Sequence, residues 1–267
     1  MPALQPIPEP DHRPYIIAHR GISAKFPENT LAAFEHAAQT DGIDMIELDV
    51  RLSKDEEVIV FHDRSLQRTS TGNGPARNYS LDELKHYDAG SWFHPSFSEQ
   101  RIPTLREVLH AVGGKLFVNI EIKSDWGHRE PDGLVERKVL EVVEQCNMNH
   151  RVVFSSFNHH LVDSLKKISP SSTTGVLFHM TRDMGKLPSM LALPVKASVY
   201  VCAKRELTRR AITDAHAHGI AVYVYTLNSI KDAQKVLHLG VDGIMSNNAD
   251  DIVPILKDNR SAHEIFS

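Results

Sequence analysis

The segment MIELDVRLSKDEEVIVFHD, from Met45 to Asp63, contains two short apolar runs separated by a polar turn. Successive side chains of a strand point to opposite faces, so Glu47 and Asp49 would share one face while the apolar side chains between them share the other. Two carboxylates buried on one face repel each other unless a cation lies between them. The alternative is that both are solvated on the polar face of a half-exposed strand.

The second apolar run, Val58 to Phe61, begins too soon after the first run to lie parallel to it. A parallel crossover needs about a dozen residues or more, whereas this link runs only from Leu52 to Glu57 and has the composition of a turn. The sequence therefore predicts an antiparallel hairpin that returns His62 towards Glu47 and Asp49.

Apolar runs that alternate with helical patterns continue along the rest of the chain. With the hairpin strand set aside, this alternation predicts an α/β fold, a TIM (β/α)8 barrel with a hairpin and a small cap insertion after strand 2. The predicted barrel strands are Tyr15–Ala18, Met45–Val50, Leu116–Ile122, Val152–Ser155, Thr174–Phe178, Ala197–Val201, Ala221–Tyr225 and Val241–Ser246. The predicted helices include a first one around Leu31–Ala38, then Leu105–Val112, Leu134–Cys146, His160–Ile168, Thr208–His218, Ile230–Leu239 and Ile252–Leu256.

The length of 267 residues fits one such barrel, because these barrels run to about 250 residues as a single unit. We predict a loose proline-rich leader at residues 1–14 and a single barrel domain at residues 15–267. The cap insertion is predicted at residues 51–103, since its long stretch rich in Gly, Ser, Asn and Pro exceeds an ordinary connection and such loops are often functional.

Composition excludes several classes of protein. The net charge of −4 argues against a nucleic-acid binder, which normally carries a basic excess. Cys146 and Cys202 are far apart in sequence, which fits a reducing compartment. No run of about 20 apolar residues occurs, so no membrane span is predicted. We expect a cytoplasmic protein that acts on a small molecule, and the sequence leaves its oligomeric state open.

Polar side chains gather where the first predicted strands end, and active sites of such barrels lie at that rim. The residues are His19, Arg20, Glu47, Asp49, His62, Glu121 and Lys123. Singly, each has a structural interpretation, such as an ion pair between Glu121 and Lys123 or a histidine bonded to a carbonyl. Together, they suit a substrate that contains a phosphodiester.

Each residue type has a chemical use in such a site. Glu47, Asp49 and Glu121 would hold one divalent cation, Mg²⁺ or Ca²⁺, since these hard cations prefer oxygen ligands. Arg20 matches two phosphate oxygens and Lys123 adds a point charge.

Two histidines could divide the proton transfers. His19 and His62 titrate near neutrality and could act as acid and base on opposite sides of phosphorus. The histidine pairs at residues 159–160 and at residues 216 and 218 are adjacent in sequence or lie on predicted helix faces, without carboxylate partners, and we expect them to be solvated.

The same residues belong to motifs that resemble those of the glycerophosphodiester phosphodiesterases. The motifs are His19-Arg20-Gly21, Pro27-Glu28-Asn29-Thr30, Glu47-x-Asp49, Phe61-His62-Asp63 with Arg68-Thr69, Ile102-Pro103-Thr104-Leu105 and Asn119-Ile120-Glu121-Ile122-Lys123.

The resemblance implies a TIM barrel with an inserted cap, and hydrolysis of glycerophosphodiesters to sn-glycerol 3-phosphate and an alcohol with Mg²⁺ or Ca²⁺. By position, it implies that Glu47, Asp49 and Glu121 are metal ligands. It also implies that His19 and His62 are an acid–base pair and that Arg20 and Lys123 contact the phosphate.

Two late segments depart from the family pattern. Tyr225-Thr226-Leu227-Asn228 replaces a Trp-Thr-Val-Asn type segment, and Ser246-Asn247-Asn248 replaces Thr-Asp-x-Pro. We expect neither segment to touch the histidines or the metal ligands.

Two alternative functions are a lysophospholipase D and a non-catalytic polyol-phosphate binding module. The first would require an apolar patch near the cap, where Trp92, Phe93 and Phe97 form the one cluster. The second would not need two histidines beside a metal.

Overall fold

The computed structural model describes residues 14–124 and 133–254. Its strands are β1 (Tyr15–His19), β2 (Met45–Leu52), β3 (Val58–Val60), β4 (Phe117–Ile122), β5 (Val152–Ser156), β6 (Thr173–Leu177), β7 (Val199–Ala203), β8 (Ala221–Tyr225) and β9 (Gly243–Ser246). Its helices are α1 (Leu31–Gln39), α2 (Leu81–Lys85), α3 (Leu105–Val112), α4 (Leu134–Gln145), α5 (His159–Ile168), α6 (Met180–Asp183), α7 (Pro188–Ala192), α8 (Arg209–Ala217) and α9 (Ile230–Leu237).

Eight of these strands form a closed parallel barrel. The order β1-β9-β8-β7-β6-β5-β4-β2 is closed by pairing of β1 with β2. The predicted TIM barrel is confirmed, and the helices between its strands cover the outside.

The ninth strand, β3, forms the predicted hairpin. It runs antiparallel to β2, with Val60 opposite Val50 and Val58 opposite Leu52. The pairing of β1 with β2 ends at Glu47, so β3 pairs with the end of β2 that extends beyond it. The short link could not have reached a parallel position.

Apolar side chains fill the barrel on both faces of the sheet. On β1, Ile16 and Ala18 pack against the helices, while Tyr15 and Ile17 belong to a separate inner cluster. Because side chains alternate along a strand, His19 follows the inner set and lies at the rim above it. The inner cluster comprises Tyr15, Ile17, Met45, Val153, Leu177, Val199, Val201, Tyr223 and Met245.

The connection between β3 and α3 has a small apolar cluster of its own. Ile59, Phe61, Leu66, Ala76, Leu84, Ala89 and Ile102 are buried together. Ile59 lies on β3, and β3 pairs with β2 of the barrel, so the hairpin connects this cluster to the barrel. It supports the proposal that the cap insertion packs with the barrel as part of one domain.

The predicted elements differ from the observed ones mainly in short segments. The sequence pattern does not predict α6 and α7, because they have 4 and 5 residues and are too short to show a helical period. Residues 249–254 are helical, so the helix predicted at Ile252–Leu256 is described only in part, and residues 255–256 lie outside the described residues. Residues 1–13 of the predicted leader also lie outside them. Across the described residues, no helix is long and apolar enough to cross a bilayer.

Gly21 is required by the turn that connects β1 to α1. Its φ is +80°, and a Cβ atom built on it would lie 2.6 Å from Ala33 Cβ and 2.7 Å from the Ala33 backbone. A left-handed backbone conformation destabilises a residue that has a side chain by about 1–2 kcal/mol. Overpacking by the added methyl group destabilises the fold by about 1–3 kcal/mol more.

We expect Gly21→Ala to lower the free energy of unfolding by about 2–5 kcal/mol, the sum of those two costs. Gly219→Ala is the matched control, because Gly219 has φ +68° with nothing within 4 Å of a Cβ. It should lose only about 1–2 kcal/mol. Urea unfolding of both variants measures the difference, and equal losses would contradict the close packing at Gly21.

Candidate active site

Strand register brings the predicted residues to one rim of the barrel. His19 on β1 lies beside Glu47 on β2, and Asp49 lies beside Glu121 on β4. Parallel strands end at the same edge, so these four side chains meet there.

The three carboxylates form a compact buried cluster. Glu47, Asp49 and Glu121 each offer one oxygen, and these oxygens lie within 4.8 Å of one another. Burial, and then the charges of Asp49 and Glu121, raise the pKa of Glu47 well above its usual value. The crowding of negative charge makes this cluster suitable for a divalent cation.

Asp49 is fully buried at the centre of the cluster. Its Oδ2 accepts a hydrogen bond from Asn29 Nδ2 at 2.9 Å and lies 3.3 Å from Arg20 Nε. Its Oδ1 lies 3.2 Å from Lys123 Nζ and accepts no hydrogen bond from the described residues. Burial would raise the pKa of Asp49, but the cations of Lys123 and Arg20 hold it well below its usual value.

Lys123 bridges two of the carboxylates. Its Nζ donates to Glu121 Oε1 at 2.6 Å and lies 5.9 Å from the centroid of the Phe157 ring. Burial would lower the pKa of Lys123, but Glu121 and Asp49 raise it. The ammonium group is therefore charged beside the cluster.

Arg20 is fixed by its backbone and by two carboxylates. Its φ is +56°, and its N–H donates to Glu47 O at 2.9 Å and to Glu47 Oε2 at 3.1 Å. Its Nη1 donates to Glu28 Oε1 at 2.8 Å. The guanidinium group is thereby held at the rim between Glu28 and Asp49, where it could meet an anion.

His19 contacts a residue from the other end of the chain. Its Nδ1 lies 2.6 Å from Asn247 Oδ1, and its Nε2 lies 3.8 Å from Glu47 Oε2. Burial, and then the charge of Arg20, lower the pKa of His19 to about 4. Its imidazole is therefore neutral at pH 7.

The prediction that residues 246–248 do not touch the histidines is wrong. Pairing of β1 with β9 aligns Ala18 with Ser246, and the next residues, His19 and Asn247, therefore meet at the rim. Barrel closure brings together residues that are 228 positions apart.

The hairpin brings His62 to the same rim. Phe61 N donates to Asp49 O at 2.9 Å, which puts His62 next to the cluster. His62 Nδ1 lies 2.6 Å from Asp63 Oδ1. Burial lowers the pKa of His62 below its usual value, although Asp49 and Asp63 oppose that shift.

Several further residues support these groups, and their sequence pattern alone predicts no role for them. Asn29 donates a hydrogen bond to Asp49, and Glu28 accepts one from Arg20. Arg68 donates to both Glu28 and Asp63. All four supporting residues fall within motifs quoted above, which was the one available signal. Asn119, in the motif that contains Glu121 and Lys123, accepts a hydrogen bond from Ser155 Oγ at 2.9 Å.

Three of the histidines that were expected to be solvated have defined partners. His218 Nδ1 lies 2.7 Å from Asp214 O and 3.7 Å from Asp214 Oδ1, so it has a carboxylate nearby. His216 Nε2 lies 2.8 Å from Asp242 Oδ2, so the expectation that it lacks a carboxylate partner is wrong. His159 Nε2 lies 3.0 Å from Leu177 O. The predicted helix faces did not show which loops and strand ends would meet His159 and His216.

The aromatic residues of the cap pack mainly against one another and against Phe26. The ring centroids of Trp92 and Phe93 are 5.7 Å apart, and those of Phe93 and Phe97 are 5.8 Å apart. Phe97 lies 5.6 Å from the Phe26 ring in an edge-on contact. These contacts give the cluster a packing role.

Comparison with known proteins identifies the family. The model of the glycerophosphoryl diester phosphodiesterase family matches residues 19–251. The chain belongs to this family. It is therefore an enzyme, and the predicted family is confirmed.

This family member resembles several known proteins over nearly its whole length. It is 36% identical over 244 residues to a glycerophosphodiester phosphodiesterase of Bacillus altitudinis, covering 90% of this chain and 97% of that protein. It is 34% identical over 249 residues to one of Caldanaerobacter subterraneus subsp. tengcongensis, covering 91% of this chain and 97% of that protein. A solved structure of an Oleispira antarctica phosphodiesterase in complex with the product sn-glycerol-3-phosphate superposes with a TM-score of 0.82 at 29% identity. That match covers 91% of this chain and 97% of the other.

Proposed function

We propose that this enzyme hydrolyses glycerophosphodiesters to sn-glycerol 3-phosphate and an alcohol, with a divalent cation and with His19 and His62 as the acid–base pair. The observation that carries the proposal is the meeting at one barrel rim of a buried carboxylate triad with two imidazoles and two cations. The named relatives and the product in the related structure support the substrate class.

Glu47, Asp49 and Glu121 would hold one Mg²⁺ or Ca²⁺ ion. Their oxygens have the spacing and chemistry of a hard-cation site, and Asp49 Oδ1 accepts no hydrogen bond from the described residues. When bound, the cation supplies positive charge and open coordination positions for phosphate oxygens.

Arg20 and Lys123 would bind the phosphate beside the triad. Arg20 presents a planar donor group that matches two oxygens, and Lys123 presents a point charge. Glu28, Glu121 and Asp49 hold the two cations in place before substrate arrives. Charge that grows on the phosphate in the transition state would then meet donors that are already oriented.

The partners of the two histidines suit different roles. With Asn247 Oδ1 as the acceptor, His19 Nδ1 carries the proton, and Nε2 keeps its lone pair to accept one from the nucleophile. His62 faces the Asp63 carboxylate at 2.6 Å, which stabilises an imidazolium. We therefore assign His19 as the base and His62 as the acid that protonates the leaving alcohol. The nucleophile is either water or the glycerol 2-hydroxyl, and the latter route passes through a cyclic phosphate.

The test is a substrate panel with purified protein and added Mg²⁺ or Ca²⁺. Release of sn-glycerol 3-phosphate from glycerophosphocholine or a related diester is expected, with the alcohol identified as the second product. Faster turnover of a lysolipid would favour the lysophospholipase D alternative. Release of no sn-glycerol 3-phosphate from any diester would favour a binding module instead.

Asn247→Ala is expected to lower kcat by about 10–100-fold and to change KM by less than about threefold. The variant leaves the His19 ring free to rotate and to exchange tautomers, while the phosphate-binding cations are unchanged. Steady-state kinetics on glycerophosphocholine measure both constants.

Asn248→Ala is the control for this prediction. The Asn248 side chain donates to Asn228 O at 3.5 Å, and its backbone N–H, which the variant keeps, donates to Ser246 Oγ. Loss of the side chain should leave kcat within about threefold of wild type. Asn247→Asp keeps an acceptor and should recover most of the rate. Equal kinetics in the two alanine variants would contradict the positioning of His19 by Asn247.

A further inference from the structure

We propose that Arg68 is a positioning residue that ties the Arg20 side of the site to the His62 side. This inference rests on the proposed function, since it concerns how two groups of that reaction are held. Arg68 lies in the 3-10 turn Leu66–Arg68 of the cap, away from the barrel strands that carry the triad.

The Arg68 guanidinium group binds two carboxylates from different loops. It donates to Glu28 through Nη1 at 2.9 Å and Nη2 at 2.7 Å. It also donates to Asp63 through Nε at 2.5 Å and Nη2 at 3.2 Å. The fork geometry of arginine allows both contacts at once.

Each of these carboxylates also holds one group of the site. Glu28 Oε1, which accepts from Arg68, also accepts from Arg20 Nη1 at 2.8 Å. Asp63 Oδ1, which accepts from Arg68, also faces His62 Nδ1 at 2.6 Å. A continuous path of alternating charge therefore runs from Arg20 through Glu28 and Arg68 to Asp63, which faces His62.

This arrangement differs from an ordinary surface ion pair, which is mobile and screened by solvent. The Glu28 side chain is only 14% exposed and that of Asp63 25%, while Arg68 is 44% exposed and covers them from outside. Networks with several ideal contacts hold geometry better than single pairs do. Burial would raise the pKa of Glu28, but Arg68 and Arg20 lower it, so the path stays charged.

Loss of Arg68 would loosen both groups without removing either. The Asp63 side chain could then rotate. Since Asp63 orients His62, neither the orientation of the His62 ring nor its tautomer would be fixed any longer. Glu28 would have Arg20 as its one remaining cation in this path, and would pull it away from the phosphate position. Both changes reduce the fraction of bound substrate that is correctly aligned, so the effect should fall on kcat more than on KM.

The experiment compares Arg68→Ala, Arg68→Lys and wild type, each with saturating Mg²⁺ and glycerophosphocholine. We expect Arg68→Ala to lose about 10–100-fold in kcat with KM changed less than about threefold. Arg68→Lys should recover only part of kcat, because a single ammonium cannot bridge both carboxylates. A few millimolar guanidinium chloride should partly restore Arg68→Ala, since the site is open to solvent, and should not raise the wild-type rate.

Arg101→Ala is the matched control from the same connection. Arg101 Nη1 donates to the carbonyl oxygens of Ser98 and Gln100, and its loss should leave kcat and guanidinium response at wild-type values.

Three results would overturn the inference while the wild type is active. The first is an Arg68→Ala kcat within threefold of wild type. The second is a rise in KM with kcat unchanged, which would indicate direct substrate contact. The third is a lowered Tm with no guanidinium rescue and no difference between Arg68→Ala and Arg68→Lys, which would indicate a purely structural role. If Arg68→Ala does not fold, Arg68→Lys carries the test, and a wild-type kcat in that variant overturns the inference. An inactive wild type would instead overturn the proposed function, and this inference with it.

Discussion

Replacing His19 or His62 with alanine is expected to reduce kcat by about 10²–10⁴-fold, the range supplied by one acid–base group. Both side chains lie at the rim and are partly exposed, so the barrel should stay folded. Circular dichroism and steady-state turnover of glycerophosphocholine measure fold and rate. His160→Ala is the matched control, because His160 is exposed on α5 and should give wild-type kinetics.

The two histidine variants should differ when the leaving group changes. A p-nitrophenyl ester of glycerol phosphate has a leaving group that departs without protonation, so His62→Ala should recover much of its rate on this substrate. His19→Ala should stay slow, because the nucleophile still needs a base. The reverse pattern would exchange the two roles, and wild-type rates in either variant would remove that histidine from the acid–base pair.

Removal of divalent cation is the second large effect expected. Chelation by EDTA should abolish turnover, and added Mg²⁺ or Ca²⁺ should restore it, because the triad and phosphate repel each other without the cation. Glu47→Gln should raise the cation concentration needed for half-maximal activity by more than about 100-fold. Mutating a residue that only hydrogen-bonds to a metal ligand usually lowers metal affinity by about 10–100-fold, and losing a ligand should have a larger effect. Metal titrations of activity give this value.

The stability of the same variant provides a readout that does not depend on activity. The pKa of Glu47 is raised in the folded protein, so Glu47 binds its proton more tightly there than in the unfolded chain. The metal-free protein therefore loses stability as the pH rises through and above the usual pKa range of a glutamate. Glu47→Gln removes this loss, so its metal-free Tm at pH 8 should equal or exceed that of wild type. Added Mg²⁺ or Ca²⁺ should raise the wild-type Tm but not that of the variant.

Glu136→Gln is the control, since Glu136 is a buried glutamate on α4 that is not part of the carboxylate triad. It should keep the metal-induced rise in Tm. An unchanged metal titration in Glu47→Gln would remove Glu47 from the ligand set.

Local pattern and spacing were sufficient for the fold and for most of the rim. The period-2 alternation put Glu47 and Asp49 on one strand face, and Glu121 and Lys123 on another, because side chains alternate along any strand. The short link from Leu52 to Glu57 required a hairpin, because chain length limits where the next strand can pair. These features depend on neighbours in sequence, so they could be read without a structure.

Tertiary structure alone decided which distant residues complete the rim. Asn247 meets His19 because β9 pairs with β1 when the barrel closes, and no pattern around Asn247 indicates that partner. Arg68 meets Glu28 across 40 positions because the cap folds back over the loop after β1. Alternation and link length thus determined the barrel, the hairpin and the face of each carboxylate. The partners that orient the histidines and Arg20 were decided by barrel closure and cap packing, because contacts between distant segments depend on the whole fold.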